Sequence, residues 1–174
     1  MSKVIVVLLS LLIVVACKRV TDEELWNKGV EAQKADKFEE SLLQYDQLIN
    51  DYPNSPKVPD ALYAMASIYQ SNQRDIPKAI GLYRKVAQEY PNHATASSAS
   101  FLIGFLYNNE LKNLDSARVA YERFLTKYPD NPMVASAQFE LNNLGKDPNE
   151  IIDVKAKPLK PFPKTNPKKA STKK

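Results

Sequence analysis

Side chains able to carry acid–base, nucleophilic or metal chemistry are scarce in this chain. It has one histidine, His93, and one cysteine, Cys17. A metal site or nucleophilic triad needs several such groups converging, and neither residue has a second of its kind to join. His93 sits just after Pro91 and reads as a solvated helix-start residue. The paired carboxylates Glu23-Glu24 and Glu39-Glu40 read as first-turn acids that complement a helix dipole. There are only four glycines and no Gly-rich phosphate loop after a strand. The sequence therefore predicts no catalytic residues, no metal and no cofactor, and a protein that is not an enzyme.

What the chain does possess is a repeated architecture. Tyr52-Pro53-Asn54 returns as Tyr90-Pro91-Asn92 and again as Tyr128-Pro129-Asp130, 38 residues apart each time. At the same shift Ala66 and Tyr69 fall over Gly104 and Tyr107, and Ala79 and Tyr83 over Ala117 and Tyr121. An earlier copy keeps Gly29, Ser41, Tyr45 and Pro53 but is one residue shorter before Ser41. Such a period marks stacked supersecondary units. Each unit reads as two helices. "TDEELWNKGVEAQ" opens with a Thr21/Glu24 capping box. Asp36 is expected to cap a second helix carrying Phe38, Leu42, Tyr45, Leu48 and Ile49 at helical spacing. Each Tyr-Pro stops a helix, because Pro cannot continue the hydrogen-bond ladder. Ser55-Pro56 and Asn131-Pro132 are expected to start the next ones, and Gly145 to end the last. Tyr69, Tyr83, Tyr107, Tyr121 and Phe124 are expected in the core.

Small residues in the first helix of each unit (Gly29, Ala66, Gly104) and early in the second (Ser41, Ala79, Ala117) allow close helix approach. An aromatic four residues later (Tyr45, Tyr83, Tyr121) fills the space beside them. This pattern, with its closing Pro, resembles the tetratricopeptide repeat. The resemblance implies an all-α, right-handed solenoid of about three and a half helical hairpins, spanning 21–54, 55–92, 93–130 and a half repeat at 131–145. It also implies a non-enzymatic scaffold whose first helices line a groove for protein partners. Carried over onto this sequence, the groove positions are Trp26, Tyr63, Phe101 and Phe139, one aromatic per unit. Gln33, Ser67, Gln70, Phe105 and Asn108 flank them. Rigid aromatics suit binding hot spots; packing between repeats is the other use the same rings could have.

The two ends differ in character from this body. Lys3 precedes an apolar run, residues 4–16, that is shorter than the about 20 residues a membrane span needs. It ends in "VVAC", which resembles the lipobox of bacterial lipoproteins. That resemblance implies a signal peptide at 1–16, acylation (palmitate) of Cys17 and a lipid-anchored linker at 17–20. A plain signal peptide or uncleaved anchor remains the alternative reading. Lys18, rather than Asp, after the cysteine implies delivery to the periplasmic face of the outer membrane. Residues 146–174 are rich in Lys and Pro and are expected to be disordered. Residues 154–174 alone carry +8, and setting these and Lys3 aside from the total of +4 leaves −5 on residues 17–153. An acidic body argues against nucleic acid as a partner. The tail reads as a solvated extension or as a contact for an anionic partner.

Lipobox and repeats together resemble the BamD-type lipoproteins of outer-membrane protein assembly. The repeats are also similar to those of the CpoB-type coordinators of the Tol-Pal system. The resemblance implies barrel-assembly components or their substrates as partners. A Tol-Pal or cell-wall coordination role, or a pilotin-like role in secretion or pilus assembly, is the alternative.

Overall fold

A computed structural model describes residues 19–146; Cys17, the signal segment and the tail from 147 onward lie outside the described residues. Seven helices follow in order: α1 Asp22–Lys34, α2 Phe38–Asp51, α3 Val58–Ser71, α4 Ile76–Glu89, α5 Ala96–Asn109, α6 Leu114–Lys127 and α7 Val134–Asn142. No strand occurs among the described residues, and no described helix is long and apolar enough to cross a membrane. Each helix packs on the next, so α1–α2, α3–α4 and α5–α6 are hairpins stacked in series, with α7 added on α6.

Local chemistry sets the helix ends. Thr21 Oγ1 accepts from the Glu24 amide at 3.2 Å, and Glu24 Oε2 accepts from the Thr21 amide at 3.2 Å, closing the capping box. Asp75 and Asn113 cap α4 and α6 by accepting from the amides of Lys78 (3.1 Å) and Ser116 (3.0 Å). Asp36 does not do the same for α2. It adopts φ of 57°, and Lys37 stands at the cap without a side-chain bond. The reason is register. Asp36 falls in line with Arg74 (φ 56°) and Lys112 (φ 52°), the residues that turn the other two hairpins through the left-handed region.

The corners between hairpins follow a common device. Ser55, His93 and Asn131 lie 38 residues apart, and each accepts with its side chain from the amide two residues on, at 3.2, 3.4 and 2.9 Å. Each backbone carbonyl also closes a short turn onto Val58, Ala96 or Val134. The helices consequently begin two residues later than the Ser-Pro and Asn-Pro pairs suggest, with Lys57, Thr95 and Met133 at their caps. Pro59 lies inside the first turn of α3, where the missing amide costs nothing. At the far end α7 stops at Asn142, with Asn143 as its cap; Gly145 follows at φ of 77°.

Close packing within hairpins depends on the small residues. A Cβ added to Gly29 would collide with the Tyr45 ring, and one on Gly104 would lie 2.8 Å from the Tyr121 ring. Tyr45, Tyr83 and Tyr121 are fully buried in the slots so formed. Ser41, also buried, donates to the Gly29 carbonyl at 2.8 Å and so has its polar group satisfied. Tyr69 and Tyr107 are only half-buried at the core margin, a departure from the core placement expected of them. The Lys78 ammonium lies 4.1 Å from the Tyr69 ring centre, and the Tyr107 hydroxyl accepts from Arg84 at 3.0 Å. Both rings thus keep one face or edge for a cation.

Candidate protein-binding face

The first helix of each hairpin presents one aromatic above the buried tyrosine of its partner helix. Trp26 on α1 lies 5.4 Å from Tyr45, centroid to centroid. Tyr63 on α3 meets Tyr83 edge-on at 5.2 Å. Phe101 on α5 contacts Tyr121 at 5.6 Å and Phe124 at 5.8 Å. These three rings are half-buried: one side is spent on the hairpin and the other remains accessible. Phe139 on α7 is 48% exposed. Lys57 adds a cation 5.8 Å over the Trp26 ring and pairs with Glu23 at 3.3 Å.

The amides beside this ladder have a structural occupation. Tyr45 donates its hydroxyl to Gln33 Oε1 at 3.1 Å, and Tyr83 donates to Gln70 Oε1 at 3.1 Å. Ser67 is half-buried on the same helix, one turn before Gln70. Gln33 and Gln70 therefore hold the core tyrosines through their oxygens. The third hairpin breaks this pattern. Asn108 is one methylene shorter than glutamine and instead donates to Glu140 Oε2 on α7 at 3.4 Å. The Tyr121 hydroxyl is buried with no hydrogen-bond partner among the described residues. Burial raises the pKa of Tyr121, and the Glu140 carboxylate raises it further. Burial likewise raises that of Tyr83, with Tyr63 adding to the shift. Phe105, the remaining predicted groove residue, is half-buried against the core.

The aromatics and amides expected at the groove lie on α1, α3, α5 and α7. That two of the amides are hydrogen-bonded to buried tyrosines is a feature of the structure beyond that expectation. The signal was present: each amide recurs 12 or 13 residues before its tyrosine. No cluster of three or more His, Cys, Asp or Glu able to hold a metal occurs among the described residues.

Residues 60–93 and 98–131 each match the tetratricopeptide repeat family model. No curated protein matches the chain. Among solved structures, the N-terminal domain of stress-induced protein-1 (STI-1) from C. elegans superposes with a TM-score of 0.58. It is 18% identical, and the alignment covers 70% of this chain and 94% of that one. At this identity the likeness is one of fold. The described residues form an all-α helical-repeat solenoid, two of whose repeats match that family model. The matched repeats mark it as a scaffold for protein–protein interaction.

Proposed function

We propose that this scaffold is anchored by an acylated Cys17 to the periplasmic face of an outer membrane and serves outer-membrane protein assembly, as the BamD-type lipoproteins do. The observation that carries the binding role is the ladder itself: Trp26, Tyr63 and Phe101 recur on successive first helices, half-buried and held in place by buried tyrosines. Rings fixed this way lose little entropy on contact with a partner, so the area they bury is retained as affinity. The membrane and assembly parts of the reading rest on the resemblances of "VVAC" and of the repeats. Acyl chains contribute about 0.8 kcal/mol per buried CH₂, which makes two or more of them a stable tether.

The test is photo-crosslinking in cells from a photoreactive residue at Tyr63, with captured proteins identified by mass spectrometry. Adducts with barrel-assembly components or unfolded outer-membrane proteins are the expected result. Adducts with Tol-Pal or secretin-assembly proteins would move the chain to the corresponding alternative role. No adduct at all would reduce the ladder to packing. Separately, Cys17→Ala should release the protein from membranes, and membrane retention by that variant would refute the acyl anchor.

A further inference from the structure

A cavity of about 360 Å³ opens where α4, α5 and α6 meet, on a different stripe of α5 from the one that bears Phe101. Its origin is legible by comparing the hairpins at the 38-residue shift. The equivalent place between α2, α3 and α4 contains Leu62, 2% exposed, and the half-buried Leu82, both packed into the core. At the cavity those positions are Ser100 and Ala120. Two leucines are thus replaced by two small side chains, and the space they would fill remains. The charges change as well. Asp46, Lys78 and Lys85 in the filled version become Arg84, Ser116 and Arg123 at the cavity, and Pro77 becomes Asp115 on its rim, so two guanidiniums gather at one end with a single carboxylate beside them. Neither guanidinium has an ion-pair partner among the described residues. Ser100 is 5% exposed, lines the cavity, and has no hydrogen-bond partner among the described residues. Ile103 and the 53%-exposed Val119 add apolar wall.

A ligand for this place needs branched aliphatic groups for the void and carboxylates for the guanidiniums, which bind them in forked geometry. The chain carries such a segment immediately beyond α7. Residues 149–154 read Asn-Glu-Ile-Ile-Asp-Val and precede the Lys-rich stretch, whose charge the arginine pair would repel. The approach is short. Gly145 lies against Leu114, the first residue of α6, and Asp115 beside it is already on the cavity rim. From Leu114 to Arg123 along α6 is about 14 Å. Eight extended residues, 147–154, span up to about 26 Å.

We propose that the cavity is the docking site of this chain's own acidic–aliphatic segment, residues 149–154. Ile152 and Val154, which share one face of the extended segment, supply the aliphatic volume of the two leucines missing from the third hairpin. Glu150 and Asp153 meet Arg84 and Arg123. The docked segment fixes the start of the basic tail at the side of the solenoid, away from the aromatic ladder. An external acidic–aliphatic peptide has to displace it to enter.

The experiment uses the full chain with a diazirine-bearing aliphatic residue replacing Ile152, irradiated after purification and mapped by mass spectrometry. Adducts within the same chain to Ile103, Val119 or Ala120 are expected. Their yield should fall at least fivefold in Arg84→Glu/Arg123→Glu and in Ser100→Leu. Ser100→Leu fills the cavity on the pattern of Leu62, so circular dichroism should show its helices intact and unfolding cannot explain the loss. Adducts elsewhere on the chain, adducts between two copies, absence of adducts, or yields unchanged in both variants would each overturn the proposal.

Discussion

The second and third hairpins are built to one register and differ in how completely they are filled. In α3–α4, the fully buried Ala66 stands where the third hairpin has Gly104, Gln70 accepts from the Tyr83 hydroxyl, and Leu62 and Leu82 pack into the core. In α5–α6, Gly104 has no room for a Cβ, Asn108 falls short of Tyr121, and Ser100 and Ala120 leave a cavity. The buried apolar residues divide accordingly. One cluster runs from α1 through α5, and a second, smaller one joins α6 to α7. A repeat can therefore retain its backbone path while its side chains become available for other uses. The path is fixed by the tyrosine slot, the left-handed turn residue and the corner cap, and these three survive in every copy.

The comparison can be broken hardest at the slot. Gly104→Trp forces a ring into the space of Tyr121 and should cost about 3 kcal/mol, the upper part of the range for overpacking. Urea denaturation should show the loss, and hydrogen exchange should locate it in α5–α6 rather than in α3–α4. An unchanged midpoint would undo the register. The tyrosine hydroxyls give the next test. Gln70→Leu should cost about 1–3 kcal/mol, because it strands the buried Tyr83 hydroxyl. Tyr121→Phe should be near neutral or stabilising, because that hydroxyl is already stranded. Equal losses for the two variants would contradict the difference between the hairpins. Asn108→Gln sharpens it further by restoring the missing methylene, and a gain of about 1 kcal/mol is expected from the new bond.

The smallest effect is one of pH. The folded-state pKa values of Tyr83 and Tyr121 lie above their ordinary value of about 10, chiefly through burial. Above that value the unfolded chain loses phenolic protons that the folded chain retains. The unfolded state then binds fewer protons, so stability should fall as pH rises beyond about 10 and should be insensitive to these groups below it. Removing Tyr83 and Tyr121 together, as Tyr→Phe, should flatten that alkaline limb in a pH series of thermal melts. An unaltered limb would show that other groups cause it.

The sequence by itself determined the helical hairpins, their period and the slot residues. Those features are local or recur at a fixed shift: a capping box within three residues, a proline that ends a helix, a small residue that recurs opposite an aromatic. The candidate face was also legible, since one ring per repeat on the same turn of successive helices must fall on one side of a stack. What the tertiary structure decided was register at single-residue precision and the fate of each polar group. Asp36 resembles a cap because Asp caps helices, yet it stands in register with Arg74 and Lys112 at the left-handed turn, one residue ahead of the cap, which falls to Lys37. Gln33, Gln70 and Asn108 read alike as polar surface. Only the distance to a tyrosine hydroxyl on the opposing helix separates two satisfied pairs from one that a single methylene leaves unmade. The cavity likewise needed three helices to meet, because void volume is a property of packing and belongs to no one segment of chain.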